Sequence, residues 1–148
     1  IDYYAEQMTM QIMQQARRLD SGSRIGVASF VTFDNSLQRT NALGNQLAES
    51  FIKEVQAYGI PVVDYKLMNS ISVQHDGDKV FSREGWDLSS ADVEYVLSGT
   101  MHQDEKGVRV NARIVSLDEK TVVATARGFI PHFVVNAVIP DYVLIPSP

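Results

Sequence analysis

Cysteine is absent from these 148 residues. That removes disulfide staples and thiolate metal sites while leaving the compartment open. Long apolar runs are also missing, since none reaches the ~18 residues a membrane-spanning helix needs. There is no excess of positive charge. Thirteen Lys and Arg stand against eighteen Asp and Glu, and a net charge of −5 argues against a nucleic-acid binder. Histidine is sparse. His75, His102 and His132 stand alone, without the spacings of a zinc site, and Asp76-Gly77-Asp78 lacks the length and terminal Glu of a calcium loop. No glycine-rich phosphate loop follows the first strand, and Ser29, Ser98 and Ser116 lie outside any nucleophile elbow. The carboxylate pairs Asp104/Glu105 and Asp118/Glu119 fall on turn tips, where hydration keeps them from acting as acids near neutrality. The sequence therefore predicts no catalytic residues, no cofactor and no metal.

What is present reads as an ordinary globular balance, with 45% hydrophobic and 21% charged residues. A chain this long buries about two-thirds of its unfolded surface as one domain. Because it opens at Ile1 without a leader, any targeting segment or lipid-bearing Cys is expected upstream. Tyr4, Ala5, Met8, Ile12, Ala16 and Leu19 recur at helical spacing and predict a helix over 2–20. Arg17 and Arg18 would sit in its last turn and Gly22 would stop it. Met8, Met10 and Met13 read as adaptable core packing. Ile25 to Phe33 reads as a central strand, apolar on both faces. Leu43, Leu47, Phe51, Ile52, Val55 and Tyr58 predict a second helix over 41–58, capped by Thr40 or Asn41 and ended by Gly59 and Pro61. Ile60 to Tyr65 follows as a strand, which makes the unit a right-handed parallel crossover. A short turn over 66–70, a hairpin at Asp76-Gly77 and a helix over 83–91 holding Trp86 in the core are expected next.

Tyr95 to Pro131 carries the strongest pattern. It predicts three antiparallel strands joined by turns at Asp104–Gly107 and Asp118–Lys120. In the middle strand Val108, Val110, Ala112 and Ile114 point one way, and Arg109, Asn111, Arg113 and Val115 the other. Arg127 can join the arginines from the paired strand. A face of guanidinium groups without nucleophile or carboxylate pair is suited to binding, with bidentate bonds to a neighbour's carboxylates. Residues 132–148 hold Asp141 as their charged side chain apart from His132, and Pro140, Pro146 and Pro148 favour an extended chain. Phe133, Val134, Val135, Val138, Ile139, Val143, Leu144 and Ile145 would then form an apolar strap on another chain.

The fold class expected is α/β, a mixed sheet with a parallel βαβ unit and an antiparallel meander, helices mainly on one face, in a domain of residues 1–131 followed by the tail. The segments RIGVASFVTFDNSLQRTNALGNQLAESFIKEV, GIPVVDYKL, VEYVLSGTM and VNARIVSLDEKTVVATARGFIP resemble, in this order, the FlgO family of bacterial flagellar proteins. The resemblance implies a non-enzymatic structural subunit of a periplasmic, outer-membrane-associated ring around the flagellar basal body. It implies a large cyclic homo-oligomer touching other flagellar ring proteins. Two other classes stand beside it: a periplasmic binding or regulatory module for an envelope protein, lipid or glycan, and a hydrolase, which would require a deep pocket with convergent titratable groups.

Overall fold

The computed structural model describes residues 1–34, 37–40, 42–63 and 93–138. Residues 64–92 and 139–148 are outside the described residues, and with them the expected hairpin at 76–77, Trp86, His75 and most of the tail.

The chain begins with helix α1 (Asp2–Gln15), whose Ala5, Met8 and Ile12 are fully buried on one stripe. It is shorter than its apolar spacing suggests. Ala16 already leaves helical geometry, at φ −93° and ψ 71°, though its N–H still donates to the Ile12 carbonyl. Arg17 and Arg18 therefore lie beyond the helix, not in its last turn. Arg18 instead pairs with Glu119 at 2.9 Å, and a turn keeps Ala16 and Leu19 against the core.

Strand β1 (Ile25–Val27) and strand β2 (Val31–Asp34) replace the single strand expected over 25–33. Both run parallel to β5 (Tyr95–Gln103), Val27 beside Leu97 and Val31 beside Thr100. Four steps along one chain match three along the other, so one extra residue is accommodated between β1 and β2. Side chains alternate across a strand, and the extra residue reverses that alternation. It delivers Phe30 to the same face as Val27 and Leu97. β2 then pairs antiparallel with β3 (Leu37–Thr40), a strand the hydrophobic pattern does not predict. Helix α2 (Ala42–Gln56) buries Leu43, Leu47, Phe51 and Val55, leaves Ile52 half-buried, and ends before Tyr58, which is exposed; Gly59 follows at φ 81°. β4 (Val62–Val63) returns parallel to β1, completing the crossover.

The three-strand meander is as the alternation predicts. β5, β6 (Gly107–Ser116) and β7 (Thr121–Pro131) pair antiparallel along their lengths, with a bulge opposite Val115. Asp104 Oδ1 accepts from the Lys106 and Gly107 amides to shape the first turn, and those bonds hold its carboxyl below the ordinary range. At the second turn Lys120 takes φ 59°, its N–H held by the Ser116 carbonyl.

Both long helices pack on one sheet face, α1 against β6, β7 and α2, and α2 against β1 and β4. One continuous core joins Met8, Ile12, Leu47 and Phe51 to Ile25, Leu97, Val110, Ile114 and Ile130. The expected extended tail is corrected at its start. Residues His132–Val138 form helix α3, whose Val135 is fully buried in this core. Burial of an apolar side chain drives the segment onto its own domain before Pro140 is reached. Asp2 ties the two helices together, accepting from Ser50 Oγ at 2.6 Å and Lys53 Nζ at 3.0 Å.

The Phe51 ring stacks on Phe30, centroids 5.1 Å apart and planes within 7°. Phe51→Ala is expected to cost about 3–5 kcal/mol in chemical denaturation, as a fully enclosed ring should. The Ser50 hydroxyl, then the Lys53 ammonium, lower the pKa of Asp2. Its stabilising contribution is thus present above the unfolded carboxylate pKa and is lost as pH falls through the lowered folded value. Asp2→Asn should flatten that acid limb of the stability–pH curve while changing little at neutral pH beyond a constant offset.

Candidate interaction surface

The sheet face away from α1 and α2 is mostly polar over its antiparallel half, with a row of Val96, Val115 and Val122 at one end and Phe129 at the other. Register places Ser98, Thr100 and His102 of β5 beside Arg113, Asn111 and Arg109 of β6, and these beside Thr125, Arg127 and Phe129 of β7. Ser98 and Thr100 are half-buried and the rest exposed. The alternation reading of Arg109, Arg113 and Arg127 as neighbours on one face is therefore what the structure has.

The spacing follows from strand geometry. Arg109 and Arg113 lie four residues apart along β6, about 13 Å. Arg127 faces Asn111, midway between them, so it is diagonal to both at about 7–8 Å. The three guanidinium groups form a shallow triangle. Arg109 has a distant acidic neighbour, Asp104 Oδ2 at 3.8 Å. Arg113 and Arg127 have no ion pair or side-chain hydrogen bond among the described residues.

The edge of β7 is finished by α1. Gln11 Nε2 donates to the Arg127 carbonyl and its Oε1 accepts from the Arg127 N–H, at 3.0 and 3.1 Å. Gln15 does the same to Thr125, donating to its carbonyl at 2.6 Å and accepting from its N–H at 3.1 Å. Two side-chain amides one helical turn apart thus stand in for the next strand. They show that the Thr125 and Arg127 backbone groups point away from β6. These residues occupy the close, non-hydrogen-bonded pairs, which hold facing side chains tightest. Nothing in the hydrophobic pattern marked Gln11 and Gln15. The available signal was a pair of amides at i and i+4 flanking the buried stripe.

The tail residues divide. Phe133 is 73% exposed and Val138 38%, Val134 is half-buried, and Val135 belongs to the core. Ile139, Val143, Leu144 and Ile145 lie outside the described residues. His102 is exposed on the open face; His132 Nε2 lies 2.8 Å from Asn136 Nδ2. Among the described residues no group of three or more His, Asp or Glu could hold a metal, and no helix is long and apolar enough to cross a membrane. Two hollows beside the loop after α1 are lined by Arg17, Arg18, Leu19, Tyr58, Tyr95 and neighbouring apolar residues. Neither lining brings together a nucleophile with a base or two carboxylates, which is the arrangement a hydrolase would require.

The FlgO protein family model matches residues 6–135, from the first turn of α1 into α3. A search of curated protein sequences finds no match. The fold is similar to the LpoB C-terminal domain from Escherichia coli, at TM-score 0.64 and 14% identity, over 88% of this chain and 98% of that one. It is also similar to lipoprotein GNA1162 from Neisseria meningitidis, at TM-score 0.52 and 15% identity, over 80% and 94%. The PelC dodecamer from Paraburkholderia phytofirmans gives TM-score 0.51 and 16% identity, over 76% and 74%.

If the glutamine amides finish the β7 edge, Gln11→Ala with Gln15→Ala should raise hydrogen exchange at the Thr125 and Arg127 amides while leaving that at Ile114 unchanged. The stability loss should be about 1–3 kcal/mol, a few net hydrogen bonds. Unchanged exchange at both amides would show that the glutamines do not protect this edge.

Proposed function

A chain matched by the FlgO model from residue 6 to residue 135 belongs to the FlgO family, and on that premise we propose that it is a non-enzymatic structural subunit of a periplasmic, outer-membrane-associated ring around the bacterial flagellar basal body. The family match carries the reading, because it spans both long helices and the whole meander. The PelC likeness supports it, since a related fold there builds a twelve-subunit assembly. The open polar face supports a binding role, having donors and cations on a flat surface without a catalytic group. In this role the chain is one subunit of a large cyclic homo-oligomer, with other flagellar ring proteins as neighbours.

A second reading, a periplasmic binding or regulatory module for an envelope protein, lipid or glycan, is favoured by the likeness to a lipoprotein of similar fold. Size separates the two. Negative-stain images of the purified protein, and of basal bodies from cells lacking it, should show a closed ring in the first case and a missing ring in the second set. A monomer that leaves basal bodies intact supports the module.

The remaining tail enters as part of the proposal. The apolar side chains of residues 139–148 bind a neighbouring subunit, together with exposed Phe133. Removing 139–148 should leave a folded chain that assembles poorly by light scattering. Removing 132–148 should also lower the melting temperature, because Val135 is lost from the core. A chain lacking 139–148 that assembles like the full one makes this segment dispensable.

A further inference from the structure

We infer that the arginine face docks head to tail on an acidic surface of a second copy of this chain, and that its charge prevents it from pairing with itself. The inference rests on the ring reading and deepens it by naming which surface meets which. The net charge is −5. Arg109, Arg113 and Arg127 supply +3 of the total, so the rest of the chain carries −8. On the β5–β6–β7 part of the open face the described residues include no carboxylate. Among the described residues the acid that reaches this positive cluster is Asp104, at 3.8 Å from Arg109, and Arg113 and Arg127 have none.

Two consequences follow from Coulomb's law. Laid face to face about a twofold axis, two copies would bring six guanidinium groups together, and like charges opposed across an interface cost several kcal/mol. Charge therefore disfavours an isologous dimer through this face. Laid against any other surface of a second copy, the same face meets a body whose mean charge is negative. Unpaired Arg113 and Arg127 can then take carboxylates bidentately, and Asn111, Thr100 and Thr125 add neutral donors and acceptors beside them. A contact between two different surfaces is heterologous, and repeated by rotation it closes a ring. Arg109, Arg113 and Arg127 line neither hollow, so the face suits a macromolecular surface better than a small anion.

The test is a triple variant, Arg109→Glu with Arg113→Glu and Arg127→Glu. All three side chains are exposed, so its melting temperature should stay near that of the wild type. Alone, it should self-associate about a hundredfold or more weakly by analytical ultracentrifugation. Mixed with wild type, it keeps the acidic surface and loses the basic one, so it should cap growing assemblies and shorten them in proportion to its fraction. An Arg113→Ala, Arg127→Ala double variant gives a milder form of the same defect if the triple one is unstable. Wild type that assembles only through symmetric pairing would instead form tighter one-to-one heterodimers with the triple variant, which overturns the head-to-tail assignment. A triple variant that assembles like wild type overturns the role of the arginines and leaves the ring standing. That includes the case in which the face binds anionic phospholipid vesicles instead. A wild-type chain that stays monomeric at every concentration and salt overturns both readings.

Discussion

The architecture turns on one residue too many between β1 and β2. In register with β5, the chain spends four steps where β5 spends three, and Phe30 is thereby brought to the helix side of the sheet. There it is enclosed by two glycines. A Cβ on Gly99 would meet the Phe30 ring and the Asn111 carbonyl, and one on Gly44 would meet the Phe30 carbonyl. The Phe30 N–H also donates to the Gly44 carbonyl at 3.4 Å. Gly44 therefore lets α2 approach the strand break at backbone distance, and the stacked Phe51 seals the contact. Glycine costs a helix about 1 kcal/mol in propensity. Here it is retained because any side chain would force α2 off the sheet.

Placing α2 over β1 and β4 leaves β6 and β7 for α1, and α1 must do two jobs. Its buried stripe closes the core, with Met8 lying against Gly128, where a Cβ would press on the Met8 sulfur. Its flank, through Gln11 and Gln15, takes up the outward backbone hydrogen bonds of Thr125 and Arg127 in β7. An open strand edge templates further pairing, so the clamp removes the shortest route by which this meander could add a strand. What remains available to a partner is the face, and specificity then has to come from side chains. That is consistent with the face being rich in arginine, asparagine and hydroxyls.

The meander was legible because two independent signals agreed. Period-two alternation fixed which residues of β6 face the core, and the polar turns fixed the strand ends. The arginine triangle followed from these alone, since register and alternation determine which side chains share a face. The helices were legible in kind but not in length. Ala16 and Leu19 keep helical spacing, yet the chain turns at Ala16 to feed β1, and this path still buries Ala16 and packs Leu19 against the core. β3 was missed because Leu37–Thr40 is short and mostly polar; its strand character comes from pairing with β2, not from its own composition. The break in the first strand was invisible for a related reason. A strand apolar on both faces looks the same to a hydrophobicity pattern whether or not one residue is looped out. The C-terminal segment misled through proline, which forbids a continuous helix but permits a short one ahead of it, and seven residues suffice to bury Val135.

The helices and the sheet face away from them are fixed by different contacts. The helix layer spends its apolar surface on the core, and both ends of that layer are tied by polar contacts, Asp2 to Ser50 and Lys53 at one end and Arg18 to Glu119 at the other. The sheet is held by β5, which pairs with β6 along its whole length and with β1 and β2 on its other side. Rigid strands place Arg109, Arg113 and Arg127 at fixed spacing, and little conformational entropy beyond that of the side chains is lost when a second surface meets them. The spacing of these side chains is therefore set by the strands and not by whatever meets them.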